Sequence, residues 1–407
     1  MQSSMFTAIS ALQAHQQFMN LVSDNLANVN TTGFKANSFS FESQIAQLMQ
    51  GGSAPSAALG GIDPTQIGMG VSMGSVVANF TQGTLQSTGR PTDAAIQGDG
   101  FFIYRYGTQN LYSRDGSITT DANGYLVNSS TGMRLQGWQT SGSAAVNTGL
   151  PITDIQIPLN ATLAQATTSA TLAGNLDATA TAGSAGAYTA TMGVYDSLGT
   201  LHNVAVDFTP VGNGTWNWAA TSGSPAAAVG SGSVTFDSGG QYVSGGGSIT
   251  IPGTNGAAPV TAKLDMSALS QLATGNSVSM TTQDGVAAGN LTGFSLISNT
   301  GEIYGTYSNG LQQRIGQMAL ANFTNPSGLE RVGGNNFAAG LNSGAPSVGV
   351  ANTGGRGTLA SGYIEGSNVD MAQEFTNMIL AERGFQASSR VITTSDDMLQ
   401  ELLNMKH

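Results

Sequence analysis

The sequence predicts mainly β middle domains, sandwich- or barrel-like, set between long N- and C-terminal α-helices that pair as a coiled coil. Three observations carry this. At both ends apolar residues recur in alternating steps of three and four, the seam spacing of paired helices. The stretch between is punctuated by Gly, Asn, Asp and Pro, and holds short runs that alternate apolar and polar side chains. Glycine supplies 56 of 407 residues while hydrophobics stay at 40%, enough apolar surface to build packed cores.

The N-terminal element comes first. Ser4 to Val29 contains neither Gly nor Pro. Met5, Ala8, Leu12, His15, Met19, Val22, Leu26 and Val29 mark one seam. Asn28 to Gly33 supplies residues suited to a left-handed C-terminal cap. Residues 1–35 are therefore assigned to this helix, and 36–75 to a linker whose Gly/Ser/Pro-rich centre spans 50–62.

Short alternating runs follow, such as Ala95–Tyr104, Asn203–Phe208 and Ser277–Met280, separated by turn signals at Gly212–Gly214, Asp237–Gly240 and Asn255–Gly256. Charge divides this β material. Residues 145–284 hold seven acids (Asp154, Asp177, Asp196, Asp207, Asp237, Asp265, Asp284) and one base, Lys263, whereas most arginines lie on either side. An inserted acidic domain at 145–284 is expected inside a discontinuous β domain, 76–144 and 285–365. Tyr188, Tyr195, Phe208, Trp216, Trp218, Phe236 and Tyr242 are its candidate core.

The last element, 366–407, is a second helix. Ser367 and Asp370 have capping-box spacing. Met371, Met378, Phe385, Ile392 and Leu399 recur every seven residues, with Phe375, Ala381, Ser388 and Leu402 filling much of the second seam position. Lys406 and His407 suit the helix's negative end, and Gly384 costs about 1 kcal/mol against alanine. At about 1.5 Å per residue the two helices would be about 40 and about 57 Å long. Such isolated helices are marginal without a cover for their apolar faces, so they are expected to order when neighbouring copies pack around them.

Composition removes several function classes. There is no cysteine, hence no disulfide, thiolate metal site or cysteine nucleophile. His15, His202 and His407 lie far apart, without metal-ligand spacing. No cofactor and no metal are expected. A net charge of −11, with charged residues at only 9%, argues against phosphate-backbone binding, so no nucleic-acid partner is expected. No apolar run of about 18 residues suggests membrane insertion, and the N-terminus lacks the basic and apolar regions of a cleaved signal peptide.

His15 reads as a seam residue and His202 as a structural one. Consecutive Asp396 and Asp397 do not share a helix face. Gly98–Gly100 resembles a piece of a phosphate loop but no helical pattern follows, so it reads as a turn. The seam methionines read as adaptable packing. A β-rich hydrolase would need converging catalytic side chains, which the sequence lacks. A monomeric adhesin would not need heptads at both ends. An enzyme is not expected.

Several motifs carry a resemblance. Ala11-Leu12, Asp24–Asn28 and Thr32–Lys35, then Thr88–Phe102, then Ser367–Asp370 with Glu382–Arg390 resemble the shared motifs of flagellar rod, hook and hook-associated axial proteins. These do not separate hook from distal rod. Val194–His202, Gln283–Gly285 with Gly289–Leu291, Tyr307–Gly310 and Asn325–Leu329 are similar to signatures of the bacterial flagellar hook protein family. Distal rod proteins are shorter and lack the insertion. The distal rod and other flagellar axial proteins are the alternative reading.

The resemblance implies a structural subunit polymerising into a flexible hollow tube, a universal joint carrying motor torque from rod to filament. It implies a homo-polymer in the flagellar basal body and hook, extracellular, exported by the flagellar type III apparatus without a cleaved signal. The implied partners are the distal rod protein, the hook cap protein, the hook–filament junction protein and that export apparatus. The terminal helices would line the tube, with the inserted domain outside. Their assembly interface would comprise Met5, Leu12, Met19, Val22, Leu26, Met371, Phe375, Met378, Phe385, Ile392, Leu399 and Leu402. Asp24, Lys35, Arg383 and Arg390 are candidates for pairing between subunits. Some members cross-link subunits through a cysteine and a lysine, a chemistry expected to be absent here.

Overall fold

The computed structural model describes residues 2–55, 60–140 and 146–405. The chain forms two compact units, one of Met1–Ile157, Ser295–Tyr304 and Arg314–His407, the other of Pro158–Phe294 and Gly305–Gln313.

In the first unit, α1 (Gln2–Ala27) leads into a ribbon of four strands: β1 (Asn37–Ser43), β2 (Ala46–Gln50), β3 (Thr65–Gly68) and β4 (Val71–Ala78). Antiparallel pairing joins β1 to β4, from Asn37 opposite Ala78 to Ser43 opposite Val71, and joins β2 to β3. The segment expected as a linker at 36–75 is therefore largely strand. Phe39, Phe41, Val71, Val76 and Val77 favour the pleated backbone. The ribbon leans on α1, with Phe18 stacked on Phe39 at 5.3 Å and edge-on to Phe41 at 5.8 Å.

The β body of this unit is organised around the hairpin Phe101–Tyr106 and Gln109–Ser113. Phe101, Ile103, Tyr112, Trp138, Phe323 and Phe337 pack together as its core. Residues 146–157 belong here rather than to the insertion. Thr153–Asp154 pairs with the strand Arg134–Gln139, and Ile155 and Ile157 are buried. The Asp154 carboxylate accepts from Gln136, Arg105 and Arg134, so its acidic character marks a cross-strand anchor and not the start of the acidic domain.

The second unit is a sandwich. Five antiparallel strands run in chain order from Tyr188–Tyr195 to Tyr242–Gly245. The other sheet has the order Gly247–Ile251, Val260–Leu272, Ser169–Asp177, Ser279–Gln283. In the strand Thr215–Ser222 every second side chain is buried, the period of a sheet with one face inward. Trp216, Trp218, Phe208 and Phe236 lie in the shared core, with Tyr188 and Tyr242 packed at its margin. His202 follows a turn and pairs through Nε2 with Asp196 Oδ2 at 3.1 Å. Asp196 Oδ1 also accepts the backbone N–H groups of Leu198 and Thr200. Burial pushes the Asp196 carboxyl up; the bonds from Thr200, His202 and Leu198 outweigh it and hold its pKa below the ordinary 3.8.

The chain returns to the first unit and ends in α2 (Met371–Asn404). Asp370 itself is the N-cap, its side chain accepting from Ala372 N and Gln373 N at 2.9 and 3.2 Å. Ser367, expected to cap, instead accepts from Val369 N, because the chain stays extended through Asp370. Lys406 and His407 lie outside the described residues.

Candidate functional site

The site with functional character is the helix pair, together with the polar knot at its foot. The helices pack antiparallel. Asn25, near the end of α1, donates from Nδ2 to Glu374 Oε1 near the start of α2 at 3.1 Å. Ten residues earlier on α1, His15 lies against Gly384, ten residues further along α2; a Cβ on that glycine would come within 2.4 Å of the imidazole. The glycine that costs helix propensity thus buys close approach of the two backbones.

The predicted α1 residues all face cover: Val22 is buried, and Met5, Leu12, Met19 and Leu26 are half-buried. On α2 one row of large side chains, Met378, Phe385, Ile392 and Leu399, is half-buried. Beside it runs a second row at the same seven-residue repeat: Glu374, Ala381, Ser388 and Ser395. Phe375 and Met371, expected on the seam, are each 51% exposed and lie off it. Close antiparallel packing favours the small side chains of Ala381, Ser388 and Ser395, while at the start of the row Glu374 takes the place that apolar patterning gave to Phe375. Leu402 lies within α2, but its side chain is outside the described ones.

Large apolar side chains remain uncovered on both helices and on the ribbon. Phe375, Ile379, Leu380, Val391, Met398 and Leu403 are exposed along α2. Phe6 on α1 and Ile45, Leu48, Met49, Ile67 and Met69 on the ribbon are exposed as well. Phe6, Ile9, Ile45 and Met69 line a groove of about 780 Å³ between α1 and the ribbon. Exposed large hydrophobics this concentrated mark an interaction surface rather than ordinary solvent-facing residues.

Beneath the helices, four distant segments meet in a buried knot. Lys35 and Glu365 are both 0% exposed, with Nζ donating to Oε1 at 2.7 Å and to the Thr81 carbonyl at 2.7 Å. Arg114 reaches Glu365 Oε2 at 3.4 Å, and Gly83 N donates to Oε1 at 2.8 Å. Burial pulls both cations' pKa values down, and Glu365 pulls them back up. Lys35, a candidate for pairing between subunits, is therefore an internal residue of its own subunit. Gly33 donates its N–H to the Glu365 carbonyl at 2.8 Å. Its φ of +68° and its contact with the Asp115 backbone, 2.6 Å from where a Cβ would sit, both require glycine.

Two asparagines complete the knot. Asn25 is fully buried and exchanges two bonds with Asn37, donating to its carbonyl and accepting its N–H, each at 2.9 Å. Asn368 accepts from Ala36 N at 2.8 Å and donates to the Asn79 carbonyl at 2.8 Å. The motif residues flanking the helices thus fix how α1, the ribbon and α2 leave the β body.

The same segments are what other proteins share. A model of flagella basal body rod proteins matches 5–35, and one of the flagellar basal body rod FlgEFG protein C-terminal region matches 360–405. The flagellar hook protein FlgE/F/G D1 domain matches 95–171, and the flagellar basal body protein FlaE D2 domain matches 158–286. The flagellar hook protein FlgE of Treponema pallidum is 34% identical, with 100% of both chains covered. The chain belongs to the flagellar hook protein FlgE family. The FlgE of Borreliella burgdorferi is likewise 34% identical over 100% of both chains. A crystal structure of Helicobacter pylori flagellar hook protein FlgE2 aligns with a TM-score of 0.47 at 14% identity, covering 69% of this chain and 100% of that one. Within this hook family, the four matched regions follow one another along the chain from the first helix to the last.

Proposed function

We propose that the chain is a structural, non-enzymatic subunit that polymerises into the flexible hollow tube of the flagellar hook and transmits torque from rod to filament. The observation that carries this is the uncovered apolar surface on α1, α2 and the ribbon, in a chain of the hook protein family. Burial of such surface stabilises by about 25 cal/mol per Å² removed from water, and stacked copies supply the cover. In the polymer the helix pairs of neighbouring subunits pack in a coiled coil around the channel through exposed residues such as Phe6, Met371, Phe375, Ile379 and Leu380, whereas Val22 is buried within its own subunit.

The second unit supplies contacts that slide during bending. Its large aromatics are committed to its own core, leaving surfaces rich in Gly, Ser, Thr and Asn. Small polar side chains give wet interfaces without the deep anchors that lock one register. The subunit reaches its place through the type III export apparatus and contacts the distal rod, cap and hook–filament junction proteins.

Deletion of both 1–27 and 371–407 tests the reading. Electron micrographs of the full chain at high concentration are expected to show hollow tubes, and the shortened chain is expected to remain monomeric. Retained polymerisation after deletion would contradict it.

A further inference from the structure

Glu374 lies one turn into α2 and is 8% exposed. With Asn377 it lines a cleft of about 260 Å³ whose other walls include Phe18, Leu21, Asn37 and Phe39. Oε1 accepts from Asn25 Nδ2 at 3.1 Å, a donor that Asn25 already shares with the Asn37 carbonyl. Oε2 is buried and has no hydrogen-bond partner among the described residues. A carboxylate oxygen withdrawn from water carries its full desolvation penalty until a donor meets it.

We propose that this cleft receives the guanidinium of Arg390 from a second copy of the chain, which closes on Glu374 Oε2 as a charge-assisted bond between subunits. The pairing rests on the polymer reading. Cations are scarce, 12 Lys and Arg in 407 residues, and among the described residues of α1 and α2 only Arg383 and Arg390 carry them. Arg383 is turned toward Gln386 Oε1 at 3.4 Å. The Arg390 side chain is exposed and makes no hydrogen bond or ion pair among the described residues. Within one chain the two groups cannot meet, because at about 1.5 Å per residue Arg390 lies about 24 Å along the helix from Glu374. A like-oriented neighbour shifted by about that distance along the axis presents its arginine at the cleft. A guanidinium fits the need, since its fork of N–H donors can reach Oε2 while Asn25 keeps Oε1.

The test compares critical concentrations for polymerisation of the full chain, by sedimentation, for wild type, Glu374→Gln, Arg390→Gln, Arg383→Gln and the Glu374→Gln/Arg390→Gln double variant. Each change at 374 or 390 is expected to raise the critical concentration about tenfold, with the double variant no worse than the more affected single. Additive losses, no loss at 374 or at 390, or a tenfold loss at 383 with none at 390 would overturn the pairing. A chain with Asn377→Cys and Arg390→Cys, in a protein that otherwise has no cysteine, gives a readout independent of side-chain energetics. Oxidation is expected to link copies in the polymer and not in the dilute monomer; absence of links in an intact polymer would overturn the pairing alone. If the wild-type chain forms no polymer, the proposed function falls and the pairing with it.

Discussion

Glu365 is the residue on which the first unit's framework converges, because its carboxylate faces both Lys35 and Arg114 away from water. Removing one member of a buried ionic group leaves uncompensated charge and destabilises strongly. Glu365→Ala is therefore expected to lower unfolding stability by about 3–5 kcal/mol in denaturant titrations. Arg383→Gln, on an exposed helix face, is expected to move the monomer by no more than about 0.5 kcal/mol. Asp196 makes a second residue-level prediction, for the other unit. Its folded pKa lies below 3.8, so its contribution is complete above that pH and disappears as pH falls through the depressed value. Asp196→Ala is expected to cost about 1–3 kcal/mol at neutral pH, with the gap to wild type closing in strong acid. Fluorescence of Trp216 and Trp218, both in that unit's core, follows the transition.

Among the elements, the helix pair depends on its small row as much as on its large one. Gly384 sits where α2 meets His15, and His15 in turn packs on Phe41 at 5.3 Å. Gly384→Val is expected to destabilise by about 1–3 kcal/mol despite removing a glycine from a helix, because the branched side chain forces the imidazole off its neighbour. An unchanged or raised melting midpoint would show that the helices do not pack this closely.

The element scale also shows where the sequence was legible. The large row of α2 could be read directly, since Met378, Phe385, Ile392 and Leu399 keep an apolar seven-residue period. The second row was legible only in part: Ala381 and Ser388 could be placed on it, whereas Glu374 and Ser395 are polar and their burial follows from the partner helix's proximity. The ribbon was hidden because the Gly/Ser/Pro-rich stretch at its centre outweighed the short alternation of Phe39 and Phe41 on β1. The knot escaped notice because Lys35, Arg114 and Glu365 are far apart in the chain, and nothing local distinguishes a buried charge from a solvated one. Its only trace was positional, since Lys35 and Asn368 sit within the flagellar motifs.

For the whole molecule, self-contained β cores contrast with uncovered helices and ribbon. Trp216, Trp218 and Phe208 in one unit and Phe101, Trp138 and Phe337 in the other are satisfied within the chain. Phe375, Ile379 and Leu380 are not. This difference separates what folds the subunit from what assembles it in the proposed polymer. The most direct measurement uses the triple variant Phe375→Ser, Ile379→Ser and Leu380→Ser, comparing thermal unfolding of the monomer with tube formation by electron microscopy. An unfolding transition within about 0.5 kcal/mol per site of wild type, together with loss of tubes, is the expected result; tubes of normal number and length from the folded variant would contradict the account.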